Sequence, residues 1–239
     1  MERLVVVGNG MVGHRFCERL GELGGAGRFR LTVLGEEPRC AYDRVHLTSW
    51  FSGRRADALA LADRDWYRAR GIELRLGERA EALDRDAGAL RTSGGGWLPF
   101  DRLVLATGSA PFVPPLPGAE LPGVFVYRTI EDLEAIAAWA VTARRAAVIG
   151  GGLLGLEAAR ALLDLGLETH VVEFAERLMA RQLDAAGAAL LQRAIQALGV
   201  RVHVGARSEA IDGAGRVAAL RLAGRAALPV ELVVVAAGI

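Results

Sequence analysis

The stretch Leu4-Val5-Val6-Val7-Gly8-Asn9-Gly10-Met11-Val12-Gly13 decides how this 239-residue chain is read, because its design returns at Ala146-Ala147-Val148-Ile149-Gly150-Gly151-Gly152-Leu153-Leu154-Gly155. Each copy is a short apolar run, then G-x-G-x-x-G, then a helical pattern. That strand–turn–helix context is what separates a nucleotide fingerprint from a chance match. The first glycine permits the tight turn, the second lets the backbone approach a pyrophosphate, and the third packs helix closely on strand; the helix N-terminus supplies N–H donors and a partial positive charge. Two further landmarks repeat in order. An acid that holds ribose hydroxyls is expected at the end of the next strand. Glu36, with Glu37 beside it, follows Leu31-Thr32-Val33-Leu34, and Glu173 follows Thr169-His170-Val171-Val172. Buried-strand patterns ending in small residues come next, Leu103-Val104-Leu105-Ala106-Thr107-Gly108 and Val233-Val234-Val235-Ala236-Ala237-Gly238. The repetition predicts an α/β chain of two Rossmann-like dinucleotide-binding units, each a central parallel sheet flanked by helices, with antiparallel strand insertions.

The composition suits two ordinary domains with real cores. A formal net charge of +1, with no arginine stripe interleaved by aromatics, argues against a nucleic-acid partner. Lysine is absent, and every basic residue other than histidine is arginine. The first strand begins at Arg3-Leu4-Val5, which leaves no room for a signal segment, and no apolar stretch escapes charge or glycine long enough to span a bilayer, so the cytoplasm is the expected compartment and a membrane is not an expected partner. Cys17 and Cys40 lack CxxC spacing and metal-ligand company, and His14, His46, His170 and His203 show no metal or relay spacing. No metal site is expected; His46 follows the segment Tyr42-Asp43-Arg44.

After the first fingerprint, Val12, Phe16, Leu20 and Leu23 share one helical face, and Gly24-Gly25 ends the helix. Residues 38–65 read as an irregular then helical insertion, 72–76 as a strand, and Gly94-Gly95-Gly96 as a hairpin turn. Pro111, Pro114, Pro115, Pro117 and Pro122 crowd a stretch that can continue neither helix nor central strand. The expected division is a first unit at 1–113, a stiff linker at 114–122 and a second unit at 123–239. Within the second unit, residues 130–139 and a pattern through Leu190, Ile195 and Leu198 read as helices, Leu154, Ala158, Leu162 and Leu165 line the fingerprint helix, and 200–204 reads as a strand.

Nearly the whole chain resembles the two-dinucleotide-fold flavoprotein reductases, in which one unit holds FAD and the other NAD(P)H. Gly8 to Phe16, Glu36 to Leu47, Phe125 to Leu133 and Gly166 to Phe174 are similar, more narrowly, to the N-terminal flavin part of NAD(P)H-dependent assimilatory nitrite reductase large subunits. The resemblance implies that Gly8, Gly10, Met11, Val12 and Gly13 surround the FAD pyrophosphate, Glu36 and Glu37 the adenosine ribose, and Ala106, Thr107 and Gly108 the cofactor's flank. It matches Arg44 and Arg128 to arginines near FAD, where a guanidinium suits phosphate. Gly150, Gly152, Leu153, Leu154 and Gly155 would take the nicotinamide dinucleotide pyrophosphate, with Ala237 and Gly238 at the returning strand end. Glu173 favours NADH, because a carboxylate accepts from a free 2′-hydroxyl and repels a 2′-phosphate. Arg177 and Arg181 stand close enough to keep NADPH open, and Arg181 alternatively lines the adenine site.

Glu157 matches a family glutamate near the nicotinamide end and is the candidate catalytic residue. Related ferredoxin reductases pair it with a lysine after the Tyr-Asp-Arg segment; Ser49 stands in that region here and the chain has no lysine. Hydride transfer needs placement more than acid–base help, since the cofactors carry the chemistry. No catalytic triad is expected, and Cys40, with no partner nearby, is not expected to be a redox thiol. Relatives continue beyond the equivalent of Gly238 into a segment that returns to the FAD, and then into cysteine clusters for iron–sulfur and sirohaem groups. Ile239 ends this chain, so it is expected to be a fragment that hands electrons from NADH through FAD to such downstream centres or to an acceptor protein, and that cannot reduce nitrite alone. The alternatives are an NADH-dependent rubredoxin or ferredoxin reductase, or a non-catalytic dinucleotide-binding module.

Overall fold

The computed structural model describes every residue except Ser52, Arg54, Arg55 and Ile239, with the backbone alone at Ala26. The expected end of the chain at Ile239 therefore lies outside the described residues. The chain divides into two compact units, residues 1–46 with 55–109 and residues 47–54 with 110–239.

In the first unit β1 (Glu2–Val7) leads into α1 (Met11–Glu22) and β2 (Phe29–Gly35), followed by α2 (Arg64–Ala69), β3 (Glu73–Leu76), β4 (Ala80–Asp84), β5 (Ala89–Thr92), β6 (Trp97–Pro99) and β7 (Arg102–Leu105). Four strands form a parallel sheet in the order β3-β2-β1-β7, and β4-β5-β6 form a separate antiparallel meander. β1 is central, and its residues Leu4 to Val7 are apolar on both faces as a covered parallel strand requires. Leu4 and Val6 pack with Cys17, Leu31, Val33 and Tyr67 on one side, while Val5 and Val7 pack with Leu34 and Leu90 on the other.

Half of the apolar stripe expected on α1 meets the sheet: Phe16 and Leu20 pack against the core beside Leu4, Val6 and Leu31, whereas Val12 and Leu23 do not. Val12 and Leu23 are 71% and 69% exposed, and the buried residues are Gly13, His14 and Cys17. The glycine fingerprint draws the start of α1 down on Gly13 and Cys17, and Val12 and Leu23 fall at the two ends of the stripe, outside that contact. In the second unit the helix likewise seats on Gly155, Ala158, Ala159, Ala161 and Leu162.

The second unit runs β8 (Val124–Val126), α3 (Ile130–Ala140), β9 (Arg145–Ile149), α4 (Leu153–Asp164), β10 (Glu168–Val172), α5 (Ala185–Ala197), β11 (Arg201–His203), β12 (Ser208–Asp212), β13 (Ala219–Leu222), β14 (Leu228–Pro229) and β15 (Leu232–Val235). Its parallel sheet is ordered β11-β10-β9-β15-β8, with a meander β12-β13-β14. The core joins Ala147, Ile149, Val172, Val233 and Val235 of the sheet to Ile211, Leu220 and Leu222 of the meander.

The proline-rich stretch does not hang free as a linker. Ile211 donates its N–H to the Pro117 carbonyl at 2.8 Å, Val217 donates to Pro122 at 3.0 Å, and Leu116 and Leu121 pack against the core. The prolines lack donors but keep carbonyls, and these accept from the meander, at Ile211 in β12 and at Val217 in the connection before β13. Residues 47–54, a piece of the expected insertion, also cluster with the second unit, and Leu47–Trp50 forms a single 3-10 turn.

Candidate functional site

The two fingerprints build the same cradle. A Cβ on Gly8 (φ +111°) would lie 2.1 Å from the Ala106 carbonyl oxygen, and one on Gly150 (φ +118°) 2.3 Å from that of Ala236. A Cβ on Gly13 would lie 1.9 Å from the Gly8 oxygen, and one on Gly155 2.0 Å from the Gly150 oxygen. The first and third glycines are therefore required by the protein's own packing. Gly10 and Gly152 differ, because a Cβ at either meets nothing within 4 Å. The open space beside them is where a ligand backbone can approach.

Gly10 and Gly152 are also the N-caps of α1 and α4, and neither helix has a side-chain cap. The other three α-helices do: Asp63 caps α2, Thr129 caps α3 in a capping box with Asp132, and Asp184 caps α5. The first-turn N–H groups of an α-helix have no intrahelical acceptor. At the fingerprint helices those donors, on Met11, Val12, Gly13 and on Leu153, Leu154, Gly155, are left for an anion, which the helix dipole also favours. Met11, Val12 and Leu153 are exposed. Ala106 and Thr107 lie beside the first turn and Ala236 and Ala237 beside the second; Gly108 follows with φ +71°, and the Gly238 carbonyl accepts from Phe112 N–H at 2.9 Å.

The acids are placed unequally. Glu173 turns back onto its fingerprint, where Oε2 accepts from Gly151 N–H at 2.5 Å and Oε1 from Ala175 N–H at 2.7 Å. Both oxygens keep a second lone pair for ribose hydroxyls. Met179 N–H donates to the Gly151 carbonyl at 3.0 Å, so the loop that carries Arg177 and Arg181 is tied to the same turn. Arg177 is spent within that loop on the carbonyls of Leu183 and Ala180, and Arg181 is exposed. In the first unit Glu36 is 70% exposed and lies 3.7 Å from Arg79. Glu37 pairs with Arg44 and accepts from the Tyr42 hydroxyl at 2.6 Å. The guanidinium of Arg44 also lies 5.0 Å over the Tyr42 ring. The sequence suggested Glu37 and Arg44 as separate cofactor contacts; the structure brings them together as a pair.

Arg128 is half-buried just before α3 in the second unit, its N–H donating to Asp132 Oδ2 at 2.9 Å. Glu157, in the second turn of α4, is half-buried. Burial raises its pKa, and a hydrogen bond with the Thr48 side chain partly opposes that shift. Tyr127, buried and with its pKa pushed up to about 12 by that burial, donates to Thr48 Oγ1 at 3.2 Å. Sequence reasoning noticed Ser49 and missed Thr48 beside it. Among the described residues no group of three or more His, Cys, Asp and Glu could hold a metal. Cys17 and Cys40 are free, and burial pushes the Cys17 thiol up to about 12.

One residue of the first cradle was not singled out by its type. The Asn9 side chain accepts from the Tyr67 hydroxyl at 2.7 Å, and its buried Nδ2 has no hydrogen-bond partner. An orphaned donor, an open second glycine and an uncapped helix all fit a dinucleotide phosphate–ribose chain at this place. No helix among the described residues is long and apolar enough to cross a membrane.

Residues 2–239 match the family described as pyridine nucleotide-disulphide oxidoreductase. The chain belongs to that family, whose cofactors are FAD and a nicotinamide dinucleotide. It is 58% identical over 200 residues to the nitrite reductase [NAD(P)H] large subunit of Klebsiella oxytoca, which covers 84% of this chain and 21% of that protein. It is 48% identical over 239 residues to the nitrite reductase (NADH) large subunit of Escherichia coli K12, covering 99% of this chain and 28% of the relative. The chain thus spans less than a third of these relatives. A crystal structure of a ferredoxin reductase from Rhodopseudomonas palustris matches with a TM-score of 0.91 and 28% identity, over 100% of this chain and 59% of that one. The disulphide of the family's description has no counterpart in Cys17 and Cys40, which are unpaired with one another.

Proposed function

We propose that this member of the pyridine nucleotide-disulphide oxidoreductases is the FAD- and NADH-binding part of a nitrite reductase, acting in the cytoplasm and passing electrons to iron–sulfur and sirohaem centres outside the chain. The observation that carries the reading is the pair of glycine-built, uncapped helix N-termini, each with open space at its second glycine. The high identity to nitrite reductase large subunits supports the acceptor side of the proposal.

In this reading Gly8, Gly10, Met11, Val12 and Gly13 hold the FAD diphosphate, with Glu36, Arg44, Ala106, Thr107 and Gly108 as further cofactor residues and Glu37 as the support of Arg44. Gly150, Gly152, Leu153, Leu154, Gly155, Ala237 and Gly238 hold the nicotinamide dinucleotide. Glu173 accepts from its ribose hydroxyls and selects NADH over NADPH by repelling a 2′-phosphate. With Arg177 committed to its own loop, Arg181 is the one cation of that loop left to line the adenine end. Bound FAD supplies a two-electron acceptor for the nicotinamide hydride, and the protein supplies placement. Glu157, hydrogen-bonded to Thr48 and with its pKa raised by burial, stands one turn beyond the cradle and orients the nicotinamide end by hydrogen bonding.

The test is an anaerobic absorbance spectrum of the FAD-loaded chain before and after NADH. Bleaching of the flavin band supports the proposal. A flavin band that survives excess NADH, in a chain that binds both cofactors, overturns it.

A further inference from the structure

The two fingerprints complete the same turn by different means. In the second unit the middle residue, Gly151, donates its N–H to Glu173, which stands one residue after Val172, the partner of Ile149. In the first unit Leu34 is the partner of Val7, and the residue one further is Gly35. No carboxylate stands there. A Cβ on Gly35 would lie 3.0 Å from the Cβ of Asn9, so this glycine leaves room for the side chain of the first fingerprint's middle residue.

That side chain is held from behind. Tyr67, 1% exposed, donates its hydroxyl to Asn9 Oδ1 at 2.7 Å, and His14 Nδ1 lies 3.2 Å from the same hydroxyl. His14 is buried on α1, and burial, partly opposed by Glu18 3.9 Å from Nε2, holds its pKa below the ordinary value, which favours the neutral ring. In the tautomer with its proton on Nδ1 it donates to the Tyr67 oxygen, which commits the tyrosine proton to Asn9. The carboxamide is thereby oriented, with Nδ2 as its remaining donor. That atom is buried and meets no acceptor within the protein. Buried donors are nearly always satisfied, and one left over at a ligand cradle points to an acceptor on the ligand.

We infer that Asn9 is a cofactor-binding residue whose Nδ2 donates to an oxygen of the FAD ribose–diphosphate chain, with Tyr67 and His14 as positioning residues behind it. This rests on the first unit being the FAD site. The acceptor lies on the ribose–diphosphate part because that is the portion a fingerprint turn approaches, and it offers acceptor oxygens along its length.

Two substitutions at one position separate a ligand contact from a brace for Tyr67. Asn9→Asp keeps the shape and the acceptor for the tyrosine hydroxyl but replaces the donor by negative charge. Asn9→Ala removes both. FAD affinity is read by quenching of flavin fluorescence as the FAD-free chain is titrated, and stability by melting without FAD. A ligand contact makes Asp the worse variant for FAD, with losses of about 100-fold for Asp and about 10-fold for Ala, while Asp melts higher than Ala. Tyr67→Phe should weaken FAD by about 3-fold, since Nδ2 remains but is no longer aimed. NADH affinity should stay unchanged in all three. If Ala is the worse variant by both readouts, or if all variants bind FAD as wild type does, the inference falls and the FAD reading survives. A wild-type chain that takes up no FAD removes the reading of the first unit, and the inference with it.

Discussion

Alanine at Gly13 and alanine at Gly10 should have opposite effects, although the two positions are only one helical turn apart. At position 13 a Cβ would stand 1.9 Å from the Gly8 carbonyl oxygen, whereas real Cβ contacts do not fall below 3.0 Å. α1 must therefore retreat from the β1 turn by about the difference, 3.0 − 1.9 = 1.1 Å. Overpacking costs about 1–3 kcal/mol, and a backbone obstacle places this case at the upper end. The better helix propensity of alanine returns about 1 kcal/mol at most. A net loss of about 2 kcal/mol lowers the melting temperature by about 4–8 °C for a chain of this size. At position 10 the backbone is extended (φ −85°, ψ −168°) and no atom lies within 4 Å, so the fold loses only the N-cap preference for glycine, about 1 kcal/mol at most. FAD affinity should nevertheless fall at least about 10-fold, because the methyl group stands where the diphosphate approaches. Melting of the FAD-free chain and FAD titration of the same samples check both halves. A Gly10→Ala chain that binds FAD like wild type, or a Gly13→Ala chain that melts like wild type, would refute the division between packing glycine and approach glycine.

Glu173→Gln retains an acceptor for one of the two N–H groups now bound but loses the charge, so the ratio of NADH to NADPH affinity should fall by about 10-fold; an unchanged ratio would remove Glu173 as the selecting group. His203 lies 3.0 Å from His170 through Nε2···Nδ1, and burial, then His170, Arg225 and Arg201, hold its pKa below the ordinary value. Its contribution is complete above the unfolded value of about 6.5 and is lost as pH falls through the window below it, and His203→Gln should flatten that slope in urea melts. Glu157 carries the opposite sign. Its raised pKa gives a contribution complete below the unfolded value of about 4.3 and lost as pH rises through the folded value, so Glu157→Gln should gain stability relative to wild type toward neutral pH. Cys17 should resist alkylation under native conditions while Cys40, half-buried, reacts measurably faster; equal rates would contradict the packing of α1 on β1.

Much of the fold was legible because its signals are local. The runs at Leu4 and Ala146, the glycine spacing, and the small-residue ends at Ala106 and Ala236 are dictated by backbone sterics within a few residues. The face of α1 was legible only in its middle, at Phe16 and Leu20, because amphipathic periodicity assumes that large apolar residues seek the core along the whole helix. At a fingerprint helix the approach is set by Gly13 and Cys17, and Val12 is turned out. The packing of residues 114–122 was hidden for a different reason. Proline forbids helix and strand, but the carbonyls of Pro117 and Pro122 still accept from the meander, and nothing in local composition names those distant donors. The pairing of Glu37 with Arg44 was hidden likewise, since charge type does not say whether a guanidinium meets a phosphate or a carboxylate.

One further repeat in the sequence explains why each cradle holds its shape. Five residues before Gly8 and before Gly150 stand Arg3 and Arg145; five before Ala106 and Ala236 stand Asp101 and Glu231. Asp101 accepts from the Arg3 N–H and guanidinium, each at 2.7 Å, and Glu231 accepts from the Arg145 N–H at 2.9 Å and guanidinium at 2.7 Å. Each clamp ties the start of a fingerprint strand to the start of the strand whose far end supplies the carbonyl against Gly8 or Gly150. The two strands are thus fixed in register at one end, which sets the close approach at the other. A cradle of backbone donors can select a ligand only if its backbone is held, and here an ion pair on the far rim holds it, away from where a diphosphate would compete for the guanidinium.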